Sequence, residues 1–357
     1  MVSKSKNFIS KKKVLIIGHA GYVGSVLTNY LKKNYFIFGI DTCWFNKNIF
    51  YKNTNKDFQP HKSLFQDIRK VDLNKLGFIP DAIVYLAAIS NDPMGNKFAK
   101  ITHEINTSFC LKIAKQAKKM GVSKFVFASS CSIYGSAGNS KKKESHKIQP
   151  LTDYAKSKVN SEKKLKKLCG SFFNVISLRF ATAAGYSPKL RLDLVFNDFV
   201  ANSITNKKIL ILSDGKPWRP LIHVKDMARS INWAIDFKSK KKFIALNVGS
   251  DQWTFTIKKL ANFVAKIMGN VQVEINKNSQ PDKRSYTVDF SLFKKLCKHY
   301  QPKENLKKSV KILAQKMIGS KSNFNNFRNS EKFIRLKTLM YLQNKNKLDK
   351  NLYWKNK

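Results

Sequence analysis

The 357-residue sequence has few cysteines and lacks long apolar runs. Its five cysteines are odd in number and scattered without metal-ligand spacing, which argues against a disulfide framework, leads us to expect no metal site and favours a reducing cytoplasm. No apolar run approaches the roughly 20 residues of a membrane-spanning helix, so we expect no membrane segment. The apolar stretch after the basic N-terminus is too short for a signal peptide. With only 15 Gly and 9 Pro, the chain is not collagen-like or Gly/Pro-rich low-complexity material.

Acidic residues and arginine are also scarce. Lys and Arg number 68 against 22 Asp and Glu, a formal net charge of +46, and only 8 of the 68 are Arg. Because dedicated nucleic-acid binders usually rely on Arg for bidentate and stacked contacts, we interpret the lysines as a solvated surface that follows an AT-rich genome, and we expect no nucleic-acid partner. A functional basic face is the alternative. Either surface would attract anionic ligands.

Short apolar runs alternate with longer amphipathic stretches through the first half of the chain. The alternation predicts a parallel sheet with helices on both faces, a doubly wound α/β fold. After about residue 180, shorter strands and Gly/Pro turns predict a smaller C-terminal lobe. The predicted strands are 14–17, 36–40, 82–86, 124–128, 175–179 and 209–212, and the predicted helices include 22–33, 98–120 and 152–168.

A glycine-rich turn follows the first predicted strand. Gly18, Gly21 and Gly24 form a G-x-x-G-x-x-G loop that opens a helix. These glycines permit a tight turn, close approach of a pyrophosphate and helix–strand packing, and the helix N-terminus offers free N–H groups to phosphates. Asp41 ends the second predicted strand, where a carboxylate accepts ribose hydroxyls and repels a 2′-phosphate. The pattern predicts an NAD site; a purely structural glycine turn is the alternative.

A tyrosine and a lysine four residues apart carry the second motif. Tyr154 and Lys158 share one face of the predicted helix 152–168. A phenol with a pKa of about 10 is a poor base at neutral pH, and a neighbouring ammonium lowers that pKa. Ser129 and Ser130 end a predicted strand upstream, where a hydroxyl can bond the oxygen that Tyr154 deprotonates. A solvated helix face is the alternative for the Tyr-x-x-x-Lys pair alone; the serines and the glycine loop favour a catalytic site.

Together these motifs resemble the extended short-chain dehydrogenase/reductases, specifically the NAD-dependent epimerase/dehydratase branch that acts on nucleotide sugars. The resemblance covers roughly residues 13–350 and implies a Rossmann fold. It also rests on Leu86-Ala87-Ala88, Tyr134-Gly135, Leu178-Arg179-Phe180, the run from Arg219 to Asp226, and Asn247-Val248-Gly249. We therefore expect a basic lead-in at 1–12, an NAD-binding domain at 13–180 with later strands returning from about 205–250, a substrate lobe mostly at 181–330, and a basic helix or tail at 331–357.

The resemblance assigns roles to individual residues. It implies that Tyr154 is the catalytic base and acid, that Lys158 tunes it and holds the nicotinamide ribose, and that Ser130 takes the position of the catalytic Ser/Thr. Asn106 is implied to support the active site, with a structural helix asparagine as an equal alternative, and His223 and Asp226 are expected to organise the smaller lobe. The implied cofactor-binding set is Gly18, Gly21, Tyr22, Val23, Gly24, Asp41, Asp67, Ile68, Leu86, Ala87, Ala88, Asn106, Ser129, Tyr154 and Lys158.

Substrate contacts are implied for a further group. Arg219 and Arg284 stand where the family binds the sugar-nucleotide diphosphate, and a guanidinium fork matches phosphate oxygens. Ser130 also faces the sugar in this reading. Thr182 occupies a place where many epimerases have an Asn. Arg191 either contacts substrate or forms a surface pair with the nearby Asp193.

Two departures from the family pattern bear on the reaction. The 4,6-dehydratases carry an Asp-Glu pair after the catalytic Thr, and this chain has Cys131 and Ser132 there. Sugar-acid decarboxylases carry a Glu at the place of Ser132, and 3,5-epimerases carry a Cys there. The prediction is therefore an NAD-dependent nucleotide-sugar epimerase, most often at C4, which works through a keto-sugar and forms a homodimer.

Other functions stay open at this point. A nucleotide-sugar dehydrogenase or keto-reductase using NAD(P), a substrate outside the nucleotide sugars, a dehydratase, and an RNA-binding relative without activity are the alternatives.

Overall fold

The computed structural model describes residues 11–46, 58–136, 140–276, 282, 284–320 and 324–355, so most of the predicted lead-in lies outside it. The strands are β1 (Lys13–Ile17), β2 (Phe36–Asp41), β3 (Lys62–Phe65), β4 (Ala82–Tyr85), β5 (Lys124–Ser130), β6 (Asn174–Phe180), β7 (Thr182–Ala184), β8 (Lys208–Ile211), β9 (Trp218–His223), β10 (Phe243–Val248), β11 (Thr254–Thr256) and β12 (Gln272–Ile275). The α-helices are α1 (Tyr22–Leu31), α2 (Asp92–Lys97), α3 (Ala99–His103), α4 (Cys110–Lys119), α5 (Asp153–Leu168), α6 (Val195–Thr205), α7 (Val224–Asp236), α8 (Ile257–Met268), α9 (Ser291–Leu296), α10 (Leu306–Ile318) and α11 (Arg335–Asn344).

A parallel sheet forms the centre of the described chain. Its seven strands follow the order β10-β6-β5-β4-β1-β2-β3, and every neighbouring pair is parallel. Helices cover both faces, so β4 is buried at all four positions and reads as a continuous apolar run. The predicted doubly wound α/β fold is confirmed.

Alternate residues of β1 supply two cores on opposite faces of the sheet. Val14 and Ile16 pack into the core that includes α1 and α7, whereas Leu15 and Ile17 pack into the core that includes α4 and α5. This follows from the two-residue period of a strand. Because all strands run in one direction, the loops after β1, β4 and β5 open at a common edge. The strand order reverses between β1 and β4, which is where such sheets form a ligand crevice.

The part of the chain after β6 builds two small sheets beside this edge. One has the order β11-β9-β7, and the other pairs β12 with β8. The predicted strand at 209–212 is therefore β8 of a small sheet, and β10 is the strand from this region that joins the central sheet. The exact boundaries of the cofactor domain and the substrate lobe stay a prediction. None of the described helices combines the length and apolar character that crossing a membrane requires.

After α11 the chain returns to the sheet edge formed by β2 and β3. We call residues 345–355 the C-terminal strap. Leu352 is fully buried, and Trp354 donates its indole N–H to the carbonyl of Thr42 at 2.8 Å. Arg69 donates to the carbonyls of Asn351 (2.6 Å) and Leu352 (3.1 Å). The predicted basic helix is thus confined to α11, and the residues beyond it fold back along the central sheet.

Candidate active site

A cavity of about 700 Å³ opens at the carboxyl edge of the central sheet, next to the two small sheets. The glycine loop lines it together with Ser130, Tyr154 and Lys158, and so do Arg219 and Arg284. The fold therefore brings together motifs that lie more than 250 residues apart in the sequence.

The glycine loop has the shape that a dinucleotide requires. Gly18 has φ +92°, and a Cβ there would lie 2.7 Å from the backbone nitrogen of Ala87. A Cβ on Gly24 would lie 2.1 Å from the carbonyl oxygen of Gly18. Gly21 precedes α1 without a side-chain cap, so the first N–H groups of the helix are available to an anion. These residues fit a dinucleotide pyrophosphate.

The carboxylate of Asp41 organises the loop beyond β2. It accepts hydrogen bonds from the backbone N–H groups of Ala20 (3.0 Å) and Cys43 (2.7 Å), and it faces the cavity. Each oxygen keeps a lone pair for a ribose hydroxyl. Ile68 also lines the cavity, but the carboxylate of Asp67 is held by Arg69 at 2.6 Å and is not part of the lining. Among the remaining predicted cofactor residues, Tyr22, Val23, Leu86, Ala87, Ala88 and Ser129 line the cavity.

Tyr154 and Lys158 lie side by side at the start of α5, as their spacing predicts. Thr152 caps the helix by accepting a hydrogen bond from the N–H of Ala155 at 3.2 Å. The Nζ of Lys158 lies 5.6 Å from the centre of the Tyr154 ring and donates to the carbonyl of Ala128 at 2.7 Å. Ser130, which ends β5, accepts the N–H of Ser132 at 3.1 Å and lies beside Tyr154.

Burial dominates the electrostatics of this pair. It raises the pKa of Tyr154 to about 12, although a hydrogen bond with Ser130 acts in the opposite direction. Burial also lowers the pKa of Lys158 to about 8, because the ammonium is removed from water and its charged neighbours only partly compensate. Lys158 is 3% exposed. The protein therefore holds a cation next to the phenol at neutral pH and at a considerable energetic cost.

Asn106 lies behind the cavity. The helix from α3 to α4 widens into a π-helical turn at Glu104–Phe109, which contains this residue. The Asn106 amide accepts from the N–H of Ile89 (2.9 Å) and donates to the carbonyl of Ile89 (3.0 Å) and to the hydroxyl of Ser157 (2.9 Å). It therefore joins the segment after β4 to α5, the helix that carries Tyr154 and Lys158, without lining the cavity itself.

The two arginines expected at the substrate diphosphate converge on one carboxylate. Asp282 accepts from Arg219 at 2.6 Å and from Arg284 at 2.8 Å. Arg284 also pairs with Asp92, whose other oxygen accepts the hydroxyl of Thr152 at 2.5 Å. Because Thr152 caps α5, this chain of contacts links the arginine cluster to the helix that carries Tyr154.

Arg191 does not form a surface pair. Arg191 and Asp193 are bound through two hydrogen bonds of 2.9 Å, and each side chain is 9% exposed. Arg191 also donates to the hydroxyl of Ser90 at 3.0 Å, and both Arg191 and Thr182 line the cavity. The buried, cavity-facing position favours the ligand-binding alternative.

Cys131 and Ser132 stand where the 4,6-dehydratases carry their Asp-Glu pair. Cys131 is fully buried and donates to the carbonyl of Arg179 at 3.1 Å, and burial raises the pKa of its thiol. Ser132 lines the cavity, and its hydroxyl has no hydrogen-bond partner among the described residues. Neither side chain supplies an acid–base carboxylate.

His223 and Asp226 hold the smaller lobe together. The imidazole of His223 accepts the N–H of Lys225 at 3.2 Å, and burial lowers its pKa to about 3. Asp226 accepts the N–H groups of Lys303 (2.9 Å) and Glu304 (3.1 Å), which ties α7 to the loop before α10. In the described ranges, no cluster of His, Cys, Asp and Glu is suited to a metal ion.

The charged residues of the cavity include several that the sequence motifs do not predict, among them Asp92, Asp193 and Arg335. Asp92 and Asp193 belong to no motif, and only their contacts identify them. A signal for Arg335 existed in the sequence. In a chain with so few arginines, each one marks a place where lysine does not serve equally well.

Comparison with known proteins agrees with the family resemblance that the sequence motifs show. The model of a family described as "NAD dependent epimerase/dehydratase family" matches residues 14–249. The chain is 27% identical over 305 residues to an uncharacterized UDP-glucose epimerase, YtcB, of Bacillus subtilis, covering 83% of this chain and 94% of the relative.

Two solved structures share the fold. The UDP-N-acetylglucosamine 4-epimerase from Methanobrevibacter ruminantium M1, in complex with UDP-N-acetylmuramic acid, aligns with a TM-score of 0.75 at 21% identity and covers 86% of this chain and 98% of that one. MoeE5 in complex with UDP-glucuronic acid and NAD aligns with a TM-score of 0.73 at 19% identity, covering 86% and 99%.

Proposed function

Because this chain belongs to the NAD-dependent epimerase/dehydratase family, an enzyme family of the extended short-chain dehydrogenase/reductase type, we propose that it epimerises a nucleotide sugar at C4 through a keto-sugar. The observation that carries the proposal is the placement of Ser130, Tyr154 and Lys158 on the wall of the same cavity as the glycine loop. A binding module would have no use for this arrangement, which counts against the RNA-binding alternative.

Ser130, Tyr154 and Lys158 together suit reversible proton transfer to and from a sugar hydroxyl. Tyr154 removes the proton of the reacting sugar hydroxyl and later returns it, while Ser130 holds the same oxygen. The Lys158 cation beside the phenol favours the phenolate that this step needs. When bound, NAD supplies the reversible hydride acceptor for the sugar carbon. The glycine loop and Asp41 would hold its pyrophosphate and adenosine ribose.

The rest of the cavity favours epimerisation over elimination. An elimination needs an acid and a base beside the sugar, and Cys131 and Ser132 provide neither. The carboxylates of Asp92 and Asp193 do reach the cavity, but both are paired with arginine. A dehydrogenase or keto-reductase would use the same catalytic residues, so the fate of the keto-sugar must be measured.

Arg219 and Arg284 are the proposed ligands of the substrate diphosphate. Their shared pairing with Asp282 holds two guanidinium groups next to each other, which is the spacing that a diphosphate can bridge. The named relatives act on or bind UDP sugars, so UDP-glucose, UDP-N-acetylglucosamine and UDP-glucuronic acid are the first substrates to test.

The decisive experiment uses UDP sugars with deuterium at C4 and proton NMR detection. An epimerase gives the C4 epimer with deuterium retained at C4 and no net formation of NADH. Accumulation of NADH would instead indicate a dehydrogenase, and loss of water from the sugar would indicate a dehydratase. Tyr154→Phe should abolish turnover and leave NAD binding within about twofold of wild type, since the ring is kept. A Tyr154→Phe enzyme with most of its rate would contradict the assigned role.

Two further properties belong to the proposal. A homodimer is expected from the resemblance. The cytoplasm is the expected compartment, and it is supported by the free thiols of all five cysteines.

A further inference from the structure

Seven of the eight arginines of this chain face a carboxylate. The pairs are Arg69–Asp67, Arg179–Glu162, Arg191–Asp193, Arg219–Asp282, Arg229–Asp226, Arg284–Asp282 and Arg328–Asp198. The eighth, Arg335 at the start of α11, forms no ion pair within the described part of the chain. It is 2% exposed, it lines the cavity, and its Nη1 has no hydrogen-bond partner among the described residues.

A short chain of hydrogen bonds fixes Arg335 beside the glycine loop. The carbonyl of Tyr22, the first residue of α1, accepts the hydroxyl of Ser187 at 2.8 Å, and that hydroxyl accepts the N–H of Lys189 at 3.2 Å. The carbonyl of Lys189 then accepts Nη2 of Arg335 at 2.9 Å. On the other side, the guanidinium carbon lies 4.3 Å from the centre of the Phe45 ring, in the loop beyond Asp41. The guanidinium thus lies between the N-terminus of α1 and the loop after β2 that carries Phe45.

The charge around Arg335 is not balanced. Lys189 is 6% exposed, and its partners among the described residues are the carbonyl (2.9 Å) and side-chain oxygen (3.1 Å) of Asn46. The nearby carboxylate of Asp193 is engaged by Arg191, and that of Asp41 by two backbone N–H groups. Burial together with neighbouring cations lowers the pKa of Lys189 to about 8 and that of Arg335 to about 9. Buried cations without a counter-ion are costly, so such a pair is typical of an anion site.

We propose that Arg335 forms a second wall of the dinucleotide site and binds the cofactor pyrophosphate opposite the glycine loop, while Lys189, which does not line the cavity, adds positive charge behind it. We assign the pyrophosphate rather than another anion to Arg335, because the uncapped N-terminus of α1, which binds phosphates through its free N–H groups, lies beside this residue. A 2′-phosphate on the ribose would meet the carboxylate of Asp41 and is disfavoured. Arg335 is the first residue of α11, so the start of this helix would close the cofactor cleft. The inference rests on NAD binding and is independent of the sugar reaction.

The test compares Arg335→Gln with Lys337→Gln, a matched control that removes the same charge from an exposed residue of α11. Isothermal titration of cofactor-stripped protein with NAD measures the affinity directly. We expect Arg335→Gln to weaken NAD binding by about 10- to 100-fold, as for loss of a charge-assisted hydrogen bond, and Lys337→Gln to remain within about twofold of wild type. Equal affinities of the two variants would overturn the proposal.

Smaller ligands identify the group that is recognised. ADP carries the diphosphate and adenosine does not, so Arg335→Gln should weaken ADP and leave adenosine within about twofold of wild type. An equal loss for adenosine would show general loosening and overturn the proposal. If Arg335→Gln weakened only the binding of NADP, or only that of UDP, Arg335 would contact the 2′-phosphate or the substrate diphosphate instead. Either result would overturn the proposal.

The stability of the ligand-free variants separates binding from a structural role. Arg335→Gln removes a buried cation that has no ion-pair partner in the described ranges of the chain. Its melting temperature without NAD should therefore not fall below that of wild type, while the rise produced by NAD should shrink. A lower melting temperature with unchanged NAD affinity would assign Arg335 a structural role only. If Arg335→Gln does not fold, Arg335→Lys keeps the charge and loses the fork; it should bind NAD more weakly than wild type, and unchanged affinity would overturn the proposal.

Discussion

Replacing Lys158 with methionine should make the ligand-free protein more stable while abolishing its activity. Lowering the pKa of Lys158 from 10.5 to about 8 corresponds to about 3 kcal/mol of penalty on the buried ammonium, at about 1.4 kcal/mol per pKa unit. Lys158→Met removes that penalty and keeps a side chain of similar length. The carbonyl of Ala128 loses its donor, which costs about 1 kcal/mol. The expected net gain at pH 7 is about 2 kcal/mol.

The pH dependence of the stability difference between Lys158→Met and wild type shows whether the buried ammonium causes it. A lysine whose pKa is lower in the folded chain is protonated in both states below about pH 8, so the folded protein carries the full penalty there. Between pH 8 and 10.5 the folded state releases its proton first and the penalty decreases, and above 10.5 it is absent. The advantage of Lys158→Met should therefore be largest at pH 7, disappear between pH 8 and 10.5, and give way to a deficit of about 1 kcal/mol above pH 10.5, where only the lost hydrogen bond to Ala128 remains.

Thermal unfolding measures this effect. For a chain of 357 residues, unfolding entropies of about 2.1 cal/mol/K per residue convert 2 kcal/mol into about 3 °C. Lys163→Met, an exposed lysine of the same helix, serves as the control and should change the melting temperature by less than about 1 °C at every pH. A Lys158→Met protein that is less stable than wild type at pH 7, or a stability gap that does not change with pH, would refute the buried-charge explanation.

Three further predictions concern the cofactor site and the surface. Gly24→Ala should prevent NAD binding, because its Cβ would meet the Gly18 carbonyl at 2.1 Å; NAD titration checks this, and retained binding would contradict it. Asp41→Asn keeps the shape but loses the charge that repels a 2′-phosphate, so the preference for NAD over NADP should fall by about tenfold in paired titrations, and an unchanged ratio would count against Asp41. Every exposed residue of α4 and α5 is a lysine, so a homodimer built on these helices should strengthen from about 0.05 to 0.5 M salt in sedimentation velocity; a dimer that weakens must use another surface.

The sequence predicts the strands whose side chains are buried. β1 and β4 are apolar at nearly every position because helices cover both sides of them, and each is followed by a family motif. β3 is not predicted from the sequence, because all four of its residues are exposed and no buried apolar pattern marks it. It joins the sheet by backbone pairing with β2. Among the helices, α5 is predictable because it begins after a capping Thr and carries the Tyr-x-x-x-Lys spacing, whereas the π-helical turn around Asn106 has no sequence signature.

Within the site, local motifs are predictable and long-range contacts are not. The glycine loop and the Tyr154–Lys158 pair follow from spacing within single elements. The status of Arg191 depends on burial, which only the packed structure decides. The position of Arg335 next to Tyr22 depends on a path through residues 187–189, and no periodicity in the sequence encodes it.

The proposed closure of the dinucleotide cleft by the start of α11 has a consequence for biosynthesis. Gly18 leaves the ribosome early, but Arg335 and Trp354 follow only after more than 300 further residues have been translated. At about 5 to 20 residues per second, this delay is about 15 to 65 s. The nascent chain can form β1 and α1 long before it can enclose a nucleotide. Cofactor capture must therefore be a late, largely post-translational event, and newly made protein should pass through a stage in which it exchanges NAD freely.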